Sequence, residues 1–539
     1  MICIRNGLIV DGTGKPAFTG DILVEDDRIV DVISTGNTQT SKDPNTQTPK
    51  HPNTKTIDAS GLIVSPGFID AHTHSDAYLV LEPDAPSKIT QGITTEINGQ
   101  CGGSIAPRYG EARLSSDWAA LLGDRLTWRS LAEYREVLAA AKPAVNTVQF
   151  VGHNTLRSSV VGYAARTATP EDLAAMSRLL EQALDEGGWG LTTGLIYQPG
   201  KYSTPDEVVA LAKIAARKGG FYATHMRSEG DRILEAIDEV LELVKATGIK
   251  AEISHLKTSG KKNWHKIDVV LEKIEGAMKD GLLLGSDRYP YCAAGTDLDV
   301  VLPDWAQEGA AKAETERLGD PALRARIAAE INALDRDWST VMIGGTWHPD
   351  NKRFSGKRIS DILCRPITST STSDSPGDLI CEILSKDGCK TGAFFFGMSE
   401  ENLAKIYSRP WIVPGSDASL RAPWGPLGAD HPHPRAYATM PEFYRRVRAL
   451  GFSREETIAR MTSVPARRFE IKGRGVIEKG AYADLVIWNE SEFKAKSTYT
   501  DPHQFTGGVK AVMVNGVIPY RDGKFTGTRS GRFLERDGN

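Results

Sequence analysis

The sequence is poor in cysteine. Six occur in 539 residues, and no two form a C-x-x-C pair. A disulfide framework is therefore not expected in a chain of this size, and each thiol is by default a small buried apolar residue. No apolar run approaches the ~18 residues that a membrane span needs. The N-terminus, MICIRNGLIVDGTGK, has no apolar core of signal-peptide length. The chain is expected to be cytoplasmic and to have no membrane partner. A charge excess of one sign is lacking too. Sixty-five Lys and Arg stand against 69 Asp and Glu, which gives no reason to expect a nucleic-acid partner. No G-x-S-x-G motif occurs, and no Ser-His-Asp arrangement is evident.

What is present is alternation. Residues 1–35 and the C-terminal stretches GVIEKGAYADLVIWN and KAVMVNGVIPYRDGKF read as strands with tight turns. The two chain ends are expected to pair into one small β domain, residues 1–63 with 475–539. Residues 36–56 break the pattern. They are rich in Thr, Asn, Pro and Lys and contain no aliphatic residue, and so read as a flexible insertion. Between the ends, short apolar runs recur: LIVSPGFID, ITTEING, TVQFVGH, GLTTGLIY, FYATH, AEISH, LLLGSDRYPY and WIVPGSD. Helical text separates several of them. In DRILEAIDEVLELVKATG, Ile233, Leu234, Ile237, Val240, Leu241 and Val244 form one stripe, and Gly248 ends it. Eight βα-type runs over residues 64–474 predict an α/β fold, a (β/α)8 TIM barrel. The longest interruption, about residues 292–405, is expected to be a lid over the barrel mouth.

The polar residues sit where such a barrel works. His72 and His74 follow the first apolar run, and side chains two apart on a strand share a face. His225 ends FYATH, His255 ends AEISH, and Asp417 ends WIVPGSD. A lone strand-end histidine is more often structural than a ligand. The combination, in this order and all at C-terminal strand ends, points to a zinc site at the mouth. Elsewhere, His51 and His503 are expected to be solvated. His348 and His433 lie in insertions near the mouth, and His153 is balanced between lining the pocket and capping a turn.

The pattern resembles the amidohydrolase superfamily, through VSPGFIDAHTH near the start and GVIEKGAYADLVIWN near the end. More narrowly it resembles the D-aminoacylases, the N-acyl-D-amino-acid deacylases, through GLTTGLIYQPG, YATHMRSEGD, ISHLK, SDRYPY and MTSVPARRF. The resemblance spans nearly the whole chain. It implies a β-sandwich built from both chain ends around a metal-dependent barrel. It implies hydrolysis of a linear N-acyl-D-amino acid, a small-molecule substrate, to a carboxylate and a free D-amino acid. It also implies that Cys101, His225 and His255 hold one zinc ion tightly, that His72 and His74 face a second, weaker position that Cys101 can bridge, and that Asp417 is the catalytic base. The family's turn reads Gly-Asn-Cys-Gly where this chain has Gln100 before Cys101. Glu96 is a rival ligand, with an ion pair to a nearby Lys or Arg as its alternative.

Recognition of a free carboxylate falls to Lys257 and Tyr289, a cation and a phenol at neighbouring strand ends, a pair the family uses. Thr296 stands near the family's serine. Arg227 is a second candidate cation, with a structural pair to Glu229 or Asp231 as the alternative. Where relatives acting on acidic substrates carry an arginine, this chain has Trp305, which favours hydrophobic or aromatic side chains unless Trp305 is lid core. A cyclic amidase (hydantoinase or dihydroorotase type) is disfavoured because no lysine ends a strand before FYATH. A non-enzymatic scaffold is disfavoured because the ligand set is intact.

Overall fold

The computed structural model describes residues 1–35, 54–112, 114, 119, 121–364 and 375–536. The segment read as a flexible insertion, 36–56, falls mostly outside these, and His51 with it. Its end enters a strand, Lys55–Asp58, parallel to Ile2–Ile9.

Both chain ends contribute to one nine-stranded sheet. The seam is antiparallel pairing of Ile63–Pro66 with Leu485–Trp488, with Val64 opposite Ile487. Alternation decides the faces. Ile4, Ile22, Ile57, Leu485 and Ile487 point into the sheet's own core, whereas Val486 and Trp488 join the core of the central layer. Trp488 packs on Tyr444 and Phe493 there, and its indole N–H reaches Ser65. The Asn515-Gly516 pair closes the hairpin of Val509–Val514 and Val517–Arg521. Both residues have positive φ, which the turn requires.

Eight parallel strands form the middle of the chain: β1 (Phe68–Asp70), β2 (Ile93–Asn98), β3 (Asn146–Gln149, continued by Val151–Gly152), β4 (Gly190–Gly194), β5 (Phe221–His225), β6 (Lys250–Ile253), β7 (Leu284–Arg288) and β8 (Ile412–Pro414). Neighbours in this order pair in parallel. Ala71 N donates to Pro414 O at 3.1 Å and Asp417 N to His72 O at 2.8 Å, which returns the last strand to the first. Helices follow most strands on the outside. Ile233–Thr247 buries Ile237, Val240, Leu241 and Val244 and stops at Gly248, whose φ is +66°. The predicted terminator is the observed one, and so is the stripe apart from Leu234, which is only partly buried.

Between β7 and β8 the chain builds a smaller layer. Gly392–Phe395 is the centre of a three-stranded antiparallel sheet with Ala294–Asp297 and Val341–Ile343. Helices Pro321–Asn332 and Pro376–Asp387 pack on it through Ile327, Ile331, Ile380 and Leu384. This layer stands over the C-terminal ends of the barrel strands. Gln198, past β4, donates to Gln307 O, and Lys201 pairs with Asp304.

Candidate active site

The polar residues that follow the strand ends meet at one place. His72 and His74 lie just past β1, with ring centroids 5.4 Å apart. His72 is fully buried. Its Nδ1 is 3.2 Å from Asp287 Oδ2, and its Nε2 is 3.3 Å from Cys101 Sγ. His255 Nε2 is 3.4 Å from the same sulfur, and its Nδ1 is 2.9 Å from Glu229 Oε1. His225 ends β5 with its ring 4.5 Å from that of His255. Asp417 follows β8 at φ +49°. Its Oδ1 is 3.1 Å from His74 Nε2 and 3.4 Å from His72 Nε2, and its Oδ2 accepts from Arg435 Nη1 at 2.8 Å.

Cys101 is held on a turn of glycines, for a reason the sequence does not show. A Cβ on Gly99 would come within 2.3 Å of Phe150 O, and one on Gly102 within 2.6 Å of Gly194 N. The turn lies directly on the backbone of β3 and β4, and only glycine permits that approach. The bare backbone serves packing rather than room for a metal.

These residues suit a metal. His72, Cys101, His255 and Asp417 form one group whose donor atoms lie within 4.8 Å of one another, and His225, Glu229 and His255 form a second. A thiolate, imidazoles and a carboxylate are the donors zinc takes. His225 is 5% exposed, yet neither ring nitrogen has a hydrogen-bond partner among the described residues. Glu229 Oε2 stands 3.6 Å away, too far for one. A buried imidazole left so is costly unless something else accepts it. The contacts Asp287–His72 and Glu229–His255 are of the kind that fix ring orientation in metal-binding histidines.

The charges favour a cation. Burial pushes the Cys101 thiol up, but the neighbouring charges of His72 and His255 and the hydrogen bond with His255 outweigh it, so the thiol is held well below its ordinary value. Burial likewise raises Asp417. Arg435 and His255, with hydrogen bonds from His72 and His74, hold it well below the usual carboxylate range.

A cavity of about 450 Å³ opens over this cluster, lined by His74, Cys101, Tyr197, Thr296, Asp417 and Arg435 among others. Four predicted contacts lie outside its lining. Lys257 does not share a strand face with His255, because β6 ends at Ile253 and His255 turns at φ +38°. The lysine folds back instead, with Nζ 2.5 Å from Glu229 Oε1 and 2.8 Å from His255 Nδ1. Tyr289 is fully buried, and its hydroxyl has no hydrogen-bond partner among the described residues. Burial raises its pKa, but Lys257, Arg288 and Arg435 bring it below the ordinary value. Arg227 pairs with Glu239, not with Glu229 or Asp231. Trp305 packs on the lid core, gives its indole N–H to Glu330 and lies under Arg326. Thr296 does line the cavity.

Glu96 is outside both donor groups. It is buried against Lys88 at 3.1 Å and Ser75 at 2.7 Å, the ion-pair alternative. Gln100 lines the cavity beside Cys101, and its Oε1 has no partner among the described residues. His503 is only partly exposed, and Tyr437 Oη and Asp430 O take its two nitrogens. His153 pairs with Glu207 at 2.8 Å.

Sequence reasoning overlooked Arg435, Tyr197, Asp287 and Glu229 as site residues. Asp287 and Glu229 stand in the strand-end motifs SDRYPY and HMRSEG, so the signal that marked the histidines covered them. Arg435 had no such signal. It begins a helix, and His433 Nδ1 accepts its backbone N–H at 3.0 Å.

Comparison with known proteins agrees with this arrangement. Residues 55–384 and 396–520 match the model of the amidohydrolase family. D-aminoacylase of Alcaligenes xylosoxydans xylosoxydans is 30% identical over 545 residues, covering 99% of this chain and 97% of the relative. N-acyl-D-glutamate deacylase of the same organism is 30% identical over 540 residues, covering 99% and 96%. The crystal structure of N-acyl-D-glutamate deacylase from Bordetella bronchiseptica, complexed with zinc and a phosphonate mimic of the tetrahedral intermediate, superposes with a TM-score of 0.80 at 30% identity over 99% of each chain. The fold is the amidohydrolase TIM barrel. The chain belongs to the amidohydrolase family, in its D-aminoacylase branch.

Proposed function

We propose that the protein is a zinc-dependent N-acyl-D-amino-acid deacylase that releases a carboxylate and a free D-amino acid, with a preference for hydrophobic or aromatic side chains. The observation that carries this is a pair of donor groups that share His255, namely His72, Cys101, His255 and Asp417, and His225, Glu229 and His255, with Cys101 and Asp417 in the lining of one cavity. Cys101, His225 and His255 would hold the tight zinc ion, and His72 and His74 would face a second position. A bound zinc ion supplies Lewis acidity, which lowers the pKa of its water from 15.7 to roughly 7 and polarises a carbonyl.

The chain's own residues do the rest. Asp417, ionised and held on both oxygens, accepts the proton of the attacking water and returns it to the departing nitrogen. His74 is the histidine of the pair that lines the cavity, so it is placed to donate to the developing oxyanion. His72 is committed on both nitrogens, to Asp287 and to Cys101. Thr296 and Arg435 face the substrate carboxylate. Arg435 uses Nη1 on Asp417 and Nη2 on Gly295 O, and its Nε has no partner among the described residues. Loss of a hydrogen bond to a charged group costs about 1.5–3 kcal/mol. Arg435→Met should therefore raise KM by roughly 10–100-fold and lower kcat as well, because Asp417 loses its partner. A Michaelis analysis of the variant reads both.

The side-chain preference rests on the cavity wall, where Tyr78, Leu114, Trp347 and Phe394 stand, and not on Trp305. Lys390 lines the same cavity, so an acidic substrate belongs in the test. Zinc-loaded enzyme is assayed on N-acetyl-D- and N-acetyl-L-forms of Phe, Leu, Met and Glu. The D forms of Phe, Leu and Met should be hydrolysed at kcat/KM about tenfold or more above D-Glu, the scale of discrimination an apolar pocket supplies. Hydrolysis confined to the L series, or to hydantoins, overturns the proposal.

A further inference from the structure

Lys88 lies on the short helix Pro86–Ile89 between β1 and β2, and no part of it is exposed. An ammonium kept from water needs partners in its place. It has four: Asp70 Oδ2 at 3.0 Å, Glu96 Oε1 at 3.1 Å, Ser416 Oγ at 3.0 Å and Ala418 O at 3.0 Å. Two of these flank Asp417 on either side. Asp70, two residues before His72, also accepts from Ser416 N at 2.7 Å through its other oxygen. The loop carrying Asp417 is thus bound to the β1 end through one buried lysine and its carboxylate.

That loop needs holding. Asp417 has φ +49°, a backbone state that a non-glycine residue keeps only where its surroundings impose it. A buried ion pair of this kind adds little net stability over an apolar replacement, so fold stability alone is a weak reason for it. The neighbouring residue Gln91 points the same way. Its Nε2 donates to Ala436 O at 3.0 Å, and its Oε1 accepts from Met440 N at 3.1 Å. It therefore fixes the start of the helix that bears Arg435. One short segment holds both members of the Asp417–Arg435 pair.

We propose that Lys88 is a positioning residue for proton transfer: by gripping Ser416 and Ala418 it aims the Asp417 carboxylate at His74 and the cavity. This rests on Asp417 as the proton-transfer group. A misplacement of about 1 Å costs on the order of 10²-fold in rate. Zinc-loaded Lys88→Met should therefore lose about 10²-fold in kcat with KM within about threefold of the parent. Ser416→Ala, which removes one grip and leaves Asp70–Lys88–Glu96 intact, should lose about tenfold in kcat by the same argument. A merely structural lysine would lower the folded fraction and leave kcat per folded, zinc-loaded molecule unchanged. Ser416→Ala keeps the test open if Lys88→Met does not fold. A crystal structure of either variant reads the same point without turnover, as movement of the Asp417 carboxylate off its contact with His74. Parent-like kcat in folded variants, or an unmoved Asp417, overturns the proposal. A parent enzyme that hydrolyses no N-acyl-D-amino acid speaks against the function instead, and leaves the structural readout to decide on Lys88.

Discussion

Asp417→Asn should lower kcat by about 10²–10⁴-fold, the range that loss of a positioned acid or base produces, while zinc content stays at the parent level. The substitution is chosen for what it preserves. Asparagine tolerates positive φ, so the loop at +49° is not strained further. The amide matches the carboxylate in shape and can keep its oxygen on Arg435, while on the histidine side an NH2 replaces an acceptor. What it cannot do is accept a proton and give it back. Although burial raises the pKa of the wild-type carboxylate, Arg435 and His255, with hydrogen bonds from His72 and His74, hold it below the usual carboxylate range. Steady-state kinetics paired with metal analysis on the same sample separates two roles. Turnover within tenfold of the parent removes Asp417 as the base. Loss of zinc would make Asp417 chiefly a ligand, since its donor atoms also fall in the group with His72, Cys101 and His255.

The sequence made the histidines legible for a local reason. A short apolar run predicts a strand, and the residue that ends it must face the mouth of a parallel barrel. His225, the last residue of β5, obeys that rule. His72, His74, His255 and Asp417 sit two to four residues past their strands and still converge, because each strand end opens onto the same mouth. Periodicity failed where the chain left the strand. Lys257 was placed two residues along a face that ends at Ile253, so its direction was misread. Arg227 was placed in the right loop, but its nearest candidates, Glu229 and Asp231, lost to Glu239 on the following helix. Glu229 was already engaged with His255 and Lys257. Arg435 and Lys88 were illegible for another reason. Lys88 meets its partner Ser416 across 328 residues, and although Ser416 stands in WIVPGSD, no local pattern points from it to Lys88. Packing decides such partners, and packing is not written in any one window of sequence.

Cys101→Ala should strip the tightly held zinc and, with it, the activity. Replacing a residue that only supports a ligand already costs about 10–100-fold in metal affinity, so removal of the ligand itself should cost more than that. His72 and His255 both approach the sulfur, at 3.3 and 3.4 Å. The neighbouring charges of His72 and His255 lower its pKa despite burial, which favours the thiolate, the form that binds a metal. The turn itself should survive, because its shape depends on Gly99 and Gly102 against Phe150 and Gly194 and not on the thiol. Metal titration and thermal melting then give two independent readings. Zinc that binds only the native state raises Tm, and the rise grows with ligand over Kd. The parent should show that rise at micromolar zinc, and Cys101→Ala should lose most of it while melting near the metal-free parent. Glu96→Gln is the matched control. Glu96 spends its Oε1 on Lys88 and Ser75, so this variant should keep its zinc. Parent-like zinc affinity in Cys101→Ala, or loss of zinc in Glu96→Gln with Cys101 intact, would move the ligand from the sulfur to the carboxylate.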